Sequence, residues 1–186
     1  MNRWDTRFAE ATAPGTLPEV LAENCHLLPT SGSALDIACG LGAGALFLAQ
    51  RGLATSAWDG SAVALQKVNE FARQQGVAIT THQVDLENGS LPAGEFDLIT
   101  VGHYLHRPLC KKIIERLRPG GLLFYQTWTR RKTSDEGPDN PDFLLESNEL
   151  LRLFAPLTVV AYREEADCGD LSTGFRNRAY LVARKP

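Results

Sequence analysis

Three carboxylates, a run of glycines and two histidines carry most of the chemistry legible in this chain. Asp36, Asp59 and Asp85 each follow a short run of strand character. Between the first two lies Cys39-Gly40-Leu41-Gly42-Ala43-Gly44, a turn of very small residues that opens into the apolar helix Ala45-Leu46-Phe47-Leu48-Ala49. Gly40, Gly42 and Gly44 permit positive φ and present no Cβ, so a ligand can lie almost on the backbone where free helix N–H groups point outward. Asp36, near the end of the preceding strand, would repel a pyrophosphate there; it suits a ligand that carries an ammonium or sulfonium charge. A carboxylate at the position of Asp59 can accept both hydroxyls of a ribose. Further on, Gly102-His103-Tyr104-Leu105-His106 brings two imidazoles to the end of another apolar run. Imidazole titrates near neutrality, which makes His103 and His106 candidate bases or substrate holders.

The elements that must position these groups follow from periodicity and breakers. Strands are expected at 34–37, 53–58, 78–84 and 96–101, with helices after the glycine turn and after Ser61, the latter carrying Ala64, Leu65, Val68, Phe71 and Ala72. This β-α-β-α-β-loop-β order calls for a parallel sheet with right-handed crossovers, which delivers all three acids to one carboxyl edge, where open α/β sheets bind ligands. Pro108 suits the first turn of a helix striped by Leu109, Ile113, Ile114 and Leu117. After a Pro119-Gly120 turn a long strand runs to Trp128. A polar lid-like loop, 129–141, follows, and its Arg130-Arg131-Lys132 cluster either draws in an anionic substrate or solvates a surface. Phe143 to Phe154 reads as an amphipathic helix. The last two β runs, 157–164 and 177–184, have no helix between them and so pair antiparallel.

Composition bounds the rest. At 186 residues, with 44% hydrophobic and 22% charged residues, the chain is expected to form a single domain, 1–186, with an N-terminal helical arm over 1–28. No apolar run approaches the length that spans a bilayer, and Met1 to Arg7 lacks the apolar core of a secretion signal, so a cytoplasmic location is expected and no membrane partner. Cys25, Cys39, Cys110 and Cys168 form no C-x-x-C pair, which argues against a zinc site and against a disulfide framework. A net charge of -3 gives no basic footprint for nucleic acid.

The spacing Leu35-Asp36-x-Ala38-x-Gly40-x-Gly42 resembles the first motif of the class I S-adenosylmethionine-dependent methyltransferases, with Ala38 where that family more often has glycine. Arg118-Pro119-Gly120-Gly121 followed by apolar residues resembles a late motif of the same family. Asn140-Pro141-x-Phe143-x-Leu145, Glu149-Leu150-Leu151 and Tyr162-Arg163-Glu164-Glu165 are similar to small bacterial methyltransferases of the tellurite-resistance type. The resemblance implies a Rossmann-like α/β fold, a doubly wound and mostly parallel seven-stranded sheet ending in a C-terminal antiparallel hairpin. It implies S-adenosyl-L-methionine as cofactor, without a metal. Asp36, Ala38, Gly40 and Gly42 would hold it from below, and Asp59 and Gly60 at the ribose. Asp85 and the Leu86 N–H would meet the adenine, Gly102 and His103 the acceptor end, and Trp4 and Arg7 would close over it from the arm.

The Asn/Asp-Pro-Pro-aromatic tetrad that the family's amino-directed members carry after the fourth strand is missing here, which argues against exocyclic base or glutamine-amide methylation. The implied acceptor is a small molecule, such as a thiol or a chalcogen oxyanion, attacked in line with His103 or His106 as the catalytic candidates, in a monomer or homodimer. Two other readings stay open. Gly40-x-Gly42-x-x-Ala45 with Asp59 downstream also fits a dinucleotide fingerprint and hence an NAD(P)-dependent oxidoreductase. The chain is equally compatible with a non-catalytic S-adenosylmethionine-binding protein. The antiparallel end of the chain favours the methyltransferase fold over the dinucleotide one.

Overall fold

The computed structural model describes residues 3–88 and 91–186, with the side chains of Arg3, Trp4 and Arg7 outside that description. Seven strands form one sheet: β1 (Ser33–Ile37), β2 (Ala54–Asp59), β3 (Ile79–Gln83), β4 (Phe96–Gly102), β5 (Leu117–Trp128), β6 (Thr158–Glu164) and β7 (Arg178–Arg184). They lie in the order β3-β2-β1-β4-β5-β7-β6. β1 to β5 pair in parallel, whereas β7 runs antiparallel to both β5 and β6. The expected fold class is therefore present. The antiparallel β7, inserted between β5 and β6, also answers the dinucleotide reading, which adds further parallel units at this end.

Alternation along the strands divides the core into two faces. Leu35, Ile37, Ile99, Val101, Leu123, Tyr125 and Leu181 face α5 (Arg107–Arg116) and α6 (Glu149–Leu153), whose Leu109, Cys110, Ile113, Leu150 and Phe154 complete one cluster. On the other face Ala34, Leu98, Phe124 and Val182 pack on Val20 and Leu21 of α2 (Glu19–Glu23) and Leu48 of α3 (Ala43–Gln50). Asp36, Thr100 and Gln126 occupy this second face at the carboxyl ends of their strands. α4 (Ala62–Gln74) begins where expected, its N-cap Ser61 Oγ accepting from Ala64 N–H at 3.1 Å. The short helix α1 (Arg3–Ala9) packs along α4. Among the described residues no helix is long and apolar enough to cross a membrane.

Two segments differ from expectation. The helix expected over 143–154 shrinks to α6, preceded by a single 3₁₀ turn at Pro141–Phe143. Its first half is drawn into an extended path because Leu145 bridges to Thr129, with Leu145 N–H donating to Trp128 O and Arg130 N–H to Leu145 O, each at 2.9 Å. Asn148 then turns left-handed (φ 59°) to start the helix. The second difference lies at the Arg118-Pro119-Gly120-Gly121 turn. It is a bulge inside β5, where the register jumps from Phe96–Leu117 to Leu98–Leu122, and Gly121 lies so close to the Phe96 carbonyl that a Cβ there would stand 3.1 Å from it.

Candidate functional site

The carboxyl ends of β1, β2 and β4 meet around the glycine turn. Asp36 is buried under it, and its Oδ2 accepts from Ala45 N–H in the first turn of α3 at 2.8 Å. The same oxygen would stand 2.8 Å from a Cβ on Gly44, so the third glycine exists to let the helix descend onto the carboxylate. Burial, with the charge of Asp59 adding to it, raises the Asp36 pKa to about 7 against the single compensating bond from Ala45. Asp36 acts from behind the loop, as a buttress and as a carboxyl that becomes a negative charge beneath it as pH passes about 7.

The turn itself is left-handed at Ala38 (φ 54°), Gly40 (φ 52°) and Gly42 (φ 82°). Ala38, where glycine was the resemblance's expectation, therefore bears the backbone cost that a Cβ incurs in this region. Gly42 is the N-cap of α3, and a Cβ on it would run into Val68 of α4 at 2.7 Å. Gly40 is different: among the described residues a Cβ there would meet the Phe8 ring alone, at 3.7 Å. Gly40 is thus the least crowded of the three among the described residues, with an aromatic side chain from the arm above it.

Asp59 ties the turn to β2. Its Oδ2 accepts from Gly40 N–H and its Oδ1 from Ser61 N–H, both at 2.8 Å, and the Gly60 N–H is turned toward the same carboxylate. Burial pushes its pKa up, partly offset by these backbone donors. Ser61 Oγ donates to Asp5 Oδ1 at 2.5 Å, so α1 is fastened at the rim of the site. Among the described residues a Cβ on Gly60 would meet only Val84 O, at 3.7 Å. Asp85 is exposed and accepts from Glu87 N–H at 3.0 Å, Asn88 N–H at 3.3 Å and the Asn88 amide, organising the turn after β3. It lines a shallow groove of about 390 Å³ with Val84, Asn88 and Leu91, while the Leu86 side chain is buried in the core. Asp59 and the groove adjoin through the Val84 N–H, which donates to Asp59 O at 2.9 Å, so a carboxylate for ribose hydroxyls stands beside a groove for a base, an arrangement that fits S-adenosylmethionine. Trp4 and Arg7, the expected closing residues, have side chains outside the described residues; from the same arm the structure brings Asp5 and Phe8 to the rim.

At the end of β4 the chain bends sharply. His103 has φ 59°, its N–H donating to Gln126 O at 2.8 Å, and its ring lies against Trp128 with centroids 5.2 Å apart. His103 is exposed as a residue, yet its imidazole is crowded on the side of these neighbours. That desolvation holds its pKa below the ordinary histidine value, with Arg178 adding to the effect and the carboxylates Glu19 and Glu136 opposing it. Gly102 is pressed by the arm, Pro18 Cγ lying 2.9 Å from where its Cβ would be. His106 is the N-cap of α5 without a side-chain cap bond, half-buried, its carbonyl accepting from Leu109 N–H at 2.9 Å. Of the two candidate histidines, only His103 has its ring packed against the residues at the ends of β4 and β5.

Three residues of this corner were not expected. Gln126 is fully buried, accepts from Val20 N–H through Oε1 at 2.8 Å and approaches His103 Nε2 at 3.2 Å. Glu19 receives a Gln126 amide hydrogen at 2.6 Å and pairs with Arg178 at 2.7 Å, and Arg178 lies over the Trp128 ring. A lone amide within the apolar run Leu122-Leu123-Phe124-Tyr125-Gln126 was the available signal, since a buried amide must find partners. The Arg130-Arg131-Lys132 cluster, by contrast, is neutralised: Arg130 pairs with Glu146 at 3.0 Å, Arg131 with Asp167 at 2.9 Å, and Lys132, 4.0 Å from Asp139, donates to Pro138 O at 2.7 Å. It serves the loop's own packing. Gly137 of that loop (φ 89°) lies flat on Trp128, where a Cβ would clash at 2.6 Å.

Comparison with known proteins agrees with this geometry. Residues 34–121 match a family described as a methyltransferase domain. Among solved structures, TehB from Haemophilus influenzae is similar over 98% of this chain and 67% of its own, with a TM-score of 0.72 and 21% identity. A TehB-like S-adenosylmethionine-dependent methyltransferase from Corynebacterium glutamicum aligns over 92% and 90%, with a TM-score of 0.68 and 14% identity. The [4+2]-cyclase SpnF shares the fold as well, at a TM-score of 0.70 and 20% identity over 90% of this chain and 79% of its own. No curated protein sequence matches the chain.

Proposed function

We propose that the chain is a class I S-adenosylmethionine-dependent methyltransferase and that it methylates a small-molecule acceptor held at the ends of β4 and β5. The observation that supports this most is the packing at that corner: Pro18 is wedged against Gly102, Gly137 covers Trp128, and the ring of the exposed His103 lies against Trp128. A thiol or a chalcogen oxyanion is small enough to meet the imidazole there. The overall charge of -3 and the neutralised Arg130-Arg131-Lys132 cluster likewise lend no support to a nucleic-acid acceptor.

Bound S-adenosylmethionine supplies an electrophilic methyl group on a positive sulfur. Asp59 would take the ribose hydroxyls, the groove beside Asp85 the adenine, and the open backbone at Gly40 the remainder, with Asp36 supplying negative charge from beneath the loop. Holding the acceptor in line and excluding water then provides most of the acceleration, since an in-line displacement on a sulfonium needs positioning above all.

The test is a screen of thiols and of selenium and tellurium oxyanions with radiolabelled cofactor, scored by label in the acceptor and by S-adenosylhomocysteine formed. Transfer to at least one small acceptor, abolished by crowding Gly102 with Val, supports the reading. Cofactor binding with no transfer to any of them would favour a non-catalytic binder; the fold shared with a cyclase makes that outcome meaningful.

A further inference from the structure

The buried amide of Gln126 decides which nitrogen of His103 carries the proton. Its Oε1 must be the atom facing Val20, because a backbone N–H at 2.8 Å needs an acceptor. Its NH₂ group therefore faces the other way, donating one hydrogen to the Glu19 carboxylate at 2.6 Å. Glu19 is itself held by Arg178 at 2.7 Å, so this end of the relay is anchored by a full charge pair. The second amide hydrogen points to His103 Nε2 at 3.2 Å. A donor facing Nε2 requires a lone pair there, and a neutral imidazole with its lone pair on Nε2 carries its proton on Nδ1. Turning the amide over would set NH₂ against the Val20 N–H and a carbonyl oxygen against the Glu19 carboxylate, two repulsions in a buried place. Among the described residues no group meets Nδ1.

We infer that His103 is a hydrogen-bond donor to the acceptor through Nδ1–H, positioned by Gln126 and Glu19, and that the acceptor is a species already anionic when it binds. This rests on the methyltransferase reading and narrows its substrate class. An imidazole whose only lone pair is occupied by an amide N–H has no means of taking a proton from a hydroxyl. An anionic thiolate or oxyanion needs none taken. It forms its bond to the methyl carbon as the carbon–sulfur electron pair departs with sulfur; negative and positive charge cancel and no proton is released. An Nδ1–H aimed at such an atom holds it in place. Glu19, Gln126 and Arg178 are positioning residues in this arrangement, and the opposed charges of Glu19 and Arg178 keep the net field at the imidazole small.

The direct test needs no acceptor. Long-range proton–nitrogen correlation spectra of the full chain labelled in histidine, with His103 assigned by its loss in His103→Asn, report the tautomer at neutral pH. Nδ1 protonated is the expected result, and Gln126→Ala should shift the population toward Nε2–H. A wild-type spectrum with the proton on Nε2 overturns the inference, whether or not the Gln126 variant folds. With any acceptor found active, His103→Asn places an amide donor near the position of Nδ1 and tolerates the left-handed backbone, so it should stay within a few-fold of wild type. His103→Ala should lose about 10–100-fold, the value of one hydrogen bond to a charged partner. Equal loss in both variants would make His103 a base and refute the donor role. If no acceptor is methylated at all, the functional reading fails while the tautomer result still stands or falls by the spectrum.

Discussion

Substituting Gly42 by alanine tests the packing of the glycine turn quantitatively. Two costs arise. The residue sits at φ 82°, and a Cβ in that region costs roughly 1–2 kcal/mol. The new methyl would also stand 2.7 Å from Val68 Cγ2 and 3.2 Å from Cγ1. Val68 is fully buried on α4 and β-branched, so it cannot rotate away, and overpacking of this sort costs roughly 1–3 kcal/mol. After a few tenths are returned through the stiffer unfolded chain, Gly42→Ala should destabilise by roughly 2–4 kcal/mol and lower the melting temperature by about 5–15 °C. Gly52→Ala is the matched control: its φ of 84° is nearly the same, but among the described residues nothing lies within 4 Å of the added methyl, so only the backbone cost applies. Urea and thermal unfolding of both variants, together with Val68→Ala alone and combined with Gly42→Ala, complete a double-mutant cycle. A favourable coupling of roughly 1–3 kcal/mol between positions 42 and 68 is expected. Equal losses at 42 and 52, or strict additivity with Val68→Ala, would refute the reasoning.

Asp36 gives a pH dependence with a definite sign. Its folded pKa of about 7 stands above the ordinary 3.8, so between those values the folded chain holds a proton that the unfolded chain has released. Its contribution to stability is full below about pH 4 and declines as pH rises to about 7. Melting curves of Asp36→Asn should gain on wild type across that window; parallel curves would contradict it. A cationic ligand above the loop favours the ionised form, so affinity for S-adenosylmethionine relative to S-adenosylhomocysteine should rise with pH up to about 7 and lose that slope in Asp36→Asn, read by calorimetry. Arg107 clasps Glu149 through Nε at 2.6 Å and Nη2 at 3.0 Å, and also donates to Asp142 O and Leu144 O. Glu149→Ala should therefore cost about 2 kcal/mol in chemical denaturation and speed proteolysis of the 129–149 segment; unchanged proteolysis would show that the segment is held elsewhere.

The sheet and the acids at its carboxyl edge were legible because their signals are local. Each of Asp36 and Asp59 ends an apolar run, and Gly42 and Ser61 mark helix starts by backbone geometry and side-chain chemistry alone. The shortened helix before Phe154 was not legible, since its apolar period is genuine and loses only to a non-local bridge between Leu145 and Thr129. The same holds for the charge cluster at 130–132, whose partners Glu146 and Asp167 lie far along the chain. Gln126 and Glu19 are separated by 107 positions, so no spacing rule connects them; only the requirement that a buried amide be satisfied points to such a partner. Ala38 shows the converse: a departure from the motif at the residue level that leaves the left-handed backbone intact.

The central claim is that Asp59 and the open backbone at Gly40 hold the adenosyl cofactor. Calorimetric titration of the full chain with S-adenosylmethionine, S-adenosylhomocysteine and NADH, repeated with Asp59→Ala after its fold is verified by melting, tests it most directly. Both adenosyl compounds should bind and NADH should not, and the variant should weaken both by about 10–100-fold through loss of charge-assisted bonds to the ribose. Binding of NADH alone, or adenosyl binding indifferent to Asp59, would contradict the account.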